Sequence, residues 1–218
     1  MLSDVKVDLT RKYRDLKIWV EKLDDSPTYS IERGLYFVYV YGVFEWLVTT
    51  VVQRTIEEMN GYNGAIDEYI FDVYPLIFSS EFDSIQNCGN KTKWDRRSAI
   101  SKRLNENDIV SINDSIIPTD GRNIQVKQLE SIARVFGKTG DIFPADHIRG
   151  YIVCTVENRN HIAHGDESPS DVGSRTTKDD IKKNLANMQQ LSEFFLEQYD
   201  QYAKDKEYLK KAHCLQKK

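Results

Sequence analysis

Cysteine is scarce in this chain. The three present, Cys88, Cys154 and Cys214, are odd in number and far apart, which excludes a disulfide framework and makes a reducing, cytoplasmic setting the expectation. Proline and glycine are also few, at five and eleven residues, so collagen-like and low-complexity organisation are excluded and no repeats appear. The amino-terminal stretch MLSDVKVDLTRKYRD is charged throughout and lacks the apolar segment and small-residue cleavage site of a secretory leader, so export is not expected. No glycine-rich phosphate loop and no serine-nucleophile motif is present. No set of His, Cys and carboxylate residues has metal-ligand spacing, so neither a metal nor another cofactor is expected. Neither sign of charge dominates: 30 Lys and Arg stand against 34 Asp and Glu, a net charge of −4. That balance argues against a general nucleic-acid coat protein and leaves room for a local basic site.

Only one long apolar run exists, residues 35–52, LYFVYVYGVFEWLVTTVV. Its length suits a membrane span. Glu45 in its middle, its several tyrosines and the absence of a flanking basic cluster favour instead a buried helix at the centre of a helical protein, with no membrane partner. The remaining composition, 40% apolar and 29% charged over 218 residues, is that of an ordinary folded chain long enough for one large domain with its own core. The expected organisation is a single all-helical domain over 1–218, with its core at about 27–212.

Helical spacing of Leu9, Tyr13, Leu16, Trp19, Val20 and Leu23 predicts a first helix from an N-cap at Ser3 to about Leu23, ended by the DDSP turn. Pro27 suits the start of a second, reaching about Met59 and stopped by Asn60, Gly61, Asn63 and Gly64. Residues 65–87 read as a third helix interrupted near Pro75, and 92–104 as a fourth, basic one. From Asn105 to Asn123 the pattern breaks, and DIVSINDSIIPTDGRNI holds either a short strand or a long connection. Helices resume at about Val126–Phe136 and Ala145–Ala163, the latter stopped by Gly165. Thr177 and Asp180 form a capping-box pattern that opens a last helix to about Ala212.

A helical wheel of 148–163 gathers Ile148, Ile152, Thr155, Val156, Ile162 and Ala163 on one stripe, with Arg159 in its middle. A buried guanidinium must be paired or face a partner, since an unpaired buried charge costs several kcal/mol. Glu45 poses the converse problem among Val38, Tyr41, Gly42, Val48, Thr49 and Val52. Two readings are open: a structural Glu45–Arg159 ion pair that fixes the packing of two helices, or a pair that also positions a catalytic arginine. Beside Arg159, Asn160 and His164 share a face four residues apart at the helix end, a place where an imidazole can react.

With this Arg159, Asn160, His164 pattern, written RNxxAHG, the chain resembles the HEPN superfamily. Its ribonucleases carry Arg-x(4 to 6)-His, commonly with a polar residue after the arginine, near the end of a helix in a helical bundle. The position of the motif late in the chain, the capped long helix after it and the DGRNI segment some forty residues before it resemble HEPN proteins of bacterial toxin and phage-defence loci. The fold-level likeness covers most of the chain, as a HEPN-like bundle with additional helices and a long C-terminal helix. The specific match covers about ten residues.

The resemblance implies a metal-independent endoribonuclease working as a homodimer, with two motifs facing one cleft and an antitoxin or defence-complex protein as a restraining partner. His164 would exchange protons with the ribose 2′-hydroxyl or the leaving 5′-oxygen. Arg159 would stabilise charge at phosphorus, and Asn160 would orient the phosphate or the imidazole. On an ideal helix Arg159 and His164 point about 140° apart, so convergence needs the long arginine side chain or a loosened last turn. His161 lies too close to Arg159 for the pattern and is expected beside the site or facing solvent. His147 and His213 read as surface residues. Asp166 stands where some HEPN toxins carry a modifiable tyrosine, which leaves that mode of regulation without its target.

Lys91, Lys93, Arg96, Arg97, Lys102 and Arg103 concentrate positive charge on or near the fourth helix, and Lys204 to Lys218 form a basic tail. Each is either a solvated face or a guide for RNA phosphates, with Lys93, Arg96, Arg97 and Arg103 as the RNA-binding candidates. Two further functional readings stand beside the ribonuclease. One is a non-catalytic HEPN-like module that binds nucleotide or RNA or assembles a defence complex. The other is a helical interaction protein with a fortuitous motif.

Overall fold

The computed structural model describes residues 1–119 and 123–215, without the side chains of 213–215. The described chain is all-helical, with no strand; its two β contacts are isolated bridges, Ala65 to Ile109 and Tyr69 to Leu209. Helix α1, Ser3–Glu21, turns Val5, Leu9, Tyr13, Leu16 and Val20 inward. Ser3 is its first helical residue and not its cap. Leu2 occupies the cap without a side-chain bond, and its backbone N–H donates to Asp200 Oδ1 at 3.0 Å. A 3₁₀ turn, Pro27–Tyr29, leads into α2, Ser30–Gly61.

Helix α2 is the axis of the fold. By length and composition it could cross a membrane, yet 56% of its most apolar window is buried in the chain itself. Val40, Phe44, Leu47, Val51 and Val52 are fully enclosed, and burial of each such side chain stabilises by roughly 1.5–3 kcal/mol. Residues 65–87 do not form the expected interrupted helix. They make two 3₁₀ turns, then α3, Tyr74–Ile77, with Pro75 in its first turn, and α4, Ser79–Asn87. The turns are held from far along the chain, by Ile66 N–H to Asp108 O and Ile70 N–H to Tyr208 O. Helix α5, Lys93–Glu106, stops at Asn107 in the left-handed conformation, and the described residues beyond it form an irregular connection to α6, Val126–Val135.

Helix α7, Ile148–His164, begins three residues later than expected, after a turn, and ends at Gly165 with φ 77°. Short α8, Pro169–Ser174, lies against α2 so closely that side chains are excluded. A Cβ on Gly34 would sit 2.0 Å from the Pro169 carbonyl oxygen, and one on Gly173 1.7 Å from that of Ser30. Arg33, almost fully buried there, donates to the carbonyls of Gly173, Asp24 and Ser26. The Thr177–Asp180 capping box opens α9, Lys178–Lys204. That helix stops short of Ala212: Lys206 takes φ 52°, Tyr208 and Leu209 fold back into the core, and α10, Lys210–Leu215, follows.

Candidate functional site

The motif helix α7 packs against α2, α6, α8 and α9. Ile148, Ile152, Thr155 and Val156 are buried, which seats the helix and leaves its last two turns at the surface. Arg159 is half-buried at that transition. Its guanidinium carbon lies 4.8 Å over the Tyr41 ring. Its Nη1 donates to Asn160 Oδ1 at 3.1 Å and to Asn123 Oδ1 at 3.3 Å. Asn123 Nδ2 in turn donates to Asn160 Oδ1 at 2.8 Å. The two amides and the guanidinium thus form one small network, to which Asn123 is contributed from the position that follows the DGR tripeptide of the irregular segment; Asp120, Gly121 and Arg122 themselves lie outside the described residues.

The expected Glu45–Arg159 ion pair is not formed among the described residues. Tyr41 comes between the two charges: its hydroxyl donates to Glu45 Oε1 at 3.0 Å and accepts the Ile124 N–H at 3.0 Å, while its ring carries Arg159. Burial is the main cause that pushes the Tyr41 hydroxyl up to about 12, with the Glu45 carboxylate acting in the same direction. Arg159 is therefore held by neutral groups, and Nε and Nη2 have no hydrogen-bond partner among the described residues. A guanidinium with part of its donor edge unengaged among the described residues is an arrangement suited to an incoming phosphate.

His164 is exposed at the C-terminal end of α7 and makes no hydrogen bond or ion pair among the described residues. It shares no contact of that kind with Arg159, in keeping with their divergent directions on the helix. His161 is half-exposed, with Nδ1 3.9 Å from Asp166 Oδ2, and its carbonyl accepts the N–H groups of Asp166 and Glu167. His147 Nε2 lies 2.9 Å from Asn187 Oδ1. The His213 side chain and the last three residues of the basic tail lie outside the described residues.

Among the RNA-binding candidates, Arg103 is set apart. It pairs with Glu81, donates to the Ile77 carbonyl and stacks on Phe78, so its charge is already engaged. Lys93, Arg96 and Arg97 form no ion pair among the described residues. No group of three or more His, Cys, Asp or Glu residues able to hold a metal ion occurs among the described residues.

A groove of about 480 Å³ opens on another face of α7, lined by Phe37, Tyr151, Cys154, Arg175, Lys183 and Asn184 among others, and it includes neither Arg159 nor His164. We place the candidate site at the motif, because Arg175 in the groove is already paired with Glu167 whereas Arg159 has no ion-pair partner among the described residues. Tyr41 and Asn123 are the site residues that sequence reasoning missed. Tyr41 could have been found as the residue one helical turn before Glu45, and Asn123 only through its place in DGRNI. Comparison with protein-family models, with curated proteins and with solved structures finds no match for this chain.

Proposed function

We propose that the chain is a HEPN-type endoribonuclease that cleaves RNA by 2′-hydroxyl attack, without a metal, and serves as a toxin or phage-defence effector. The observation that carries this reading is the state of Arg159: a half-buried cation, cradled by Tyr41, Asn123 and Asn160, with no carboxylate paired to it among the described residues. Arg33, a structural arginine, has its donors taken up by three backbone carbonyls, whereas Arg159 keeps Nε and Nη2 without a partner among the described residues. An arginine that awaits a phosphate needs positioning by groups that leave its charge intact.

In this reading His164 accepts the proton of the ribose 2′-hydroxyl. The 2′-oxygen attacks phosphorus, the bond to the 5′-oxygen breaks, and a second imidazole protonates the departing oxygen. The products are a 2′,3′-cyclic phosphate and a 5′-hydroxyl. Arg159 stabilises the added charge on the phosphoryl oxygens. Because His164 has no partner among the described residues, the second imidazole is assigned to a second copy.

The exposed side of α2 next to the site supports that assignment. Leu35, Val38 and Tyr39 are solvent-facing on this central helix. Gly42 lies between them and Glu45, with open space where a Cβ would be. Glycine inside an exposed helix is less favourable than alanine by about 1 kcal/mol, and a close helix–helix approach would offset that.

The test is incubation of the purified protein with RNA in the presence of EDTA, with end-group analysis and solution mass measured in parallel. Cyclic 2′,3′-phosphate ends from a dimeric protein are expected. Cleavage that requires magnesium, or that His164→Ala leaves intact, overturns the mechanism, and a strict monomer removes the composite site. The second reading, a HEPN-like module that binds nucleotide or RNA without cleaving it, is favoured by one observation: no neighbour among the described residues orients the His164 ring. RNA binding by a protein inert in every cleavage assay would select it.

A further inference from the structure

Helices α4 and α5 form a hairpin with an unusual property: neither contains a single fully buried residue. The hairpin is fastened at its base. Arg103 is tied there to Glu81, Ile77 and Phe78, and Asn107 Oδ1 accepts the Asp67 N–H at 2.9 Å. Its far end, where residues 88–92 connect the helices, carries Trp94 at 73% exposure. Arg97 lies over one side of the indole, with its guanidinium carbon 4.8 Å from the ring centroid. Lys91, Arg96 and Arg97 are exposed and Lys93 half-exposed, and none of the four has an ion-pair partner among the described residues. Asp95 is the one acidic residue among 91–97.

Folding does not explain this arrangement. Trp94 is left mostly in water, and cations in the first turns of α5 oppose the helix dipole, which favours acidic residues there. A large exposed aromatic among unpaired cations has the chemistry of a single-stranded nucleic-acid contact, in which bases stack on the ring and phosphates meet the cations. We infer that the tip of the α4–α5 hairpin binds single-stranded RNA, with Trp94 as the base-stacking platform and Lys91, Lys93, Arg96 and Arg97 as phosphate contacts. The choice of RNA rests on the ribonuclease reading above; the patch chemistry itself requires a polyanion with stackable bases. The hairpin is a separate element from the motif helix, so it would hold a strand independently of the reacting bond.

Binding is measured on the full chain carrying His164→Ala, so that cleavage does not enter, with a fluorescently labelled single-stranded oligoribonucleotide as the probe. Trp94→Ala should weaken binding by about tenfold or more, the usual worth of one base–aromatic stack, and Trp94→Phe should recover part of it. Arg96→Ala should weaken binding and lower the slope of log affinity against log salt by about 0.7, as expected for one lost phosphate contact on a single strand. Circular dichroism of each variant should match the parent, because Trp94 supports no buried contact.

Equal affinity for RNA in the parent and Trp94→Ala overturns the inference. So does binding of poly-glutamate at the same surface as tightly as RNA, which would identify an acidic protein partner. Single-stranded DNA bound as well as RNA would keep the stacking site and remove RNA as its specific ligand. If no cleavage is ever found but Trp94-dependent RNA binding is, the ribonuclease reading fails and this one stands; cleavage with Trp94-independent binding gives the reverse.

Discussion

The Arg159 guanidinium lies 4.8 Å over the ring of Tyr41, and the hydroxyl of that same tyrosine donates to Glu45. One side chain thus receives the cation on its face and the carboxylate at its edge, and keeps them from pairing. Had they paired, the guanidinium would be neutralised and its donors occupied. The tyrosine replaces what would be a structural ion pair with a positive charge that is positioned but has no carboxylate partner among the described residues.

Substitutions at this trio should therefore separate charge from packing. Arg159→Ala strands no carboxylate, so its cost should be near 1 kcal/mol, in the ordinary range for a single substitution, and not the 3–5 kcal/mol of a broken buried ion pair. RNA cleavage should be lost. Glu45→Gln keeps an acceptor for the Tyr41 hydroxyl and should leave both stability and cleavage close to wild type. Thermal melts and cleavage assays on the two variants decide it; a Glu45→Gln protein as damaged as Arg159→Ala would mean that the carboxylate, and not the ring, holds the arginine.

His164 should behave in the opposite way to a core residue. It is exposed and unpartnered among the described residues, so His164→Ala should change stability by no more than about 0.5 kcal/mol. Cleavage should nevertheless fall by roughly 10²-fold or more, the worth of a general acid or base. A His164→Ala protein that cleaves RNA and arrests growth as well as wild type would leave the motif without a catalytic role.

Asn123 is the less obvious member of the site. Its amide bridges Arg159 and Asn160, with its oxygen accepting from the first and its nitrogen donating to the second. Asn123→Ala should leave the charge of Arg159 in place but loosen its direction. The expected result is a moderate loss of cleavage, about tenfold, with RNA affinity changed less, since a misdirected donor loses transition-state stabilisation before it loses ground-state attraction. Single-turnover rates measured alongside affinity distinguish this from loss of binding alone.

Helices with a strong period and local punctuation were legible in the sequence. The Thr177–Asp180 box and Gly165 mark their ends because caps act through bonds within a few residues. The stretch 65–87 was not legible, because its turns are fixed by bonds to Asp108 and Tyr208, and no local pattern encodes partners so distant. The end of α9 failed for the same reason: burial of Tyr208 and Leu209 overrides a helical propensity that runs on to Ala212. At the site, spacing picked out Arg159, Asn160 and His164. Wheel geometry also set Glu45 and Arg159 on facing stripes, but a wheel gives direction without distance, and the ring between them became visible only in three dimensions.

The seam between α2 and α8 makes a prediction about the site from outside it. Gly34 and Gly173 allow backbone contact where any Cβ would overlap a carbonyl oxygen, at 2.0 and 1.7 Å. Neither atom that would be struck is a flexible side-chain end. Gly34→Ala and Gly173→Ala should each destabilise by about 1–3 kcal/mol or more, as overpacking does. Both should also lower cleavage, because α8 anchors the loop that follows His164. Urea denaturation and cleavage assays check this, and wild-type stability in both variants would show that the helices are less closely packed.

Alkaline pH should loosen the fold through its tyrosines. In the folded chain burial pushes Tyr41 and Tyr69 up to about 12, and burial raises Tyr13, Tyr199 and Tyr208 further, whereas an unfolded tyrosine titrates near 10. At pH values below about 10 both states hold their protons and the stabilisation is complete. Between about 10 and 12 the unfolded chain releases protons that the folded chain keeps, so the folded state binds more protons and stability falls as pH rises. Urea midpoints should therefore drop between about pH 9 and about pH 11, with the Tyr41 ring, followed by site-specific isotope labelling, ionising with unfolding and not before it. Tyr41→Phe keeps the ring beneath Arg159 and removes one titrating group, so its midpoint should decline less steeply. A Tyr41 ring ionised in a chain that is still folded near pH 10 would mean that its hydroxyl is open to solvent, and the closed seat assigned to Arg159 would have to be abandoned with it.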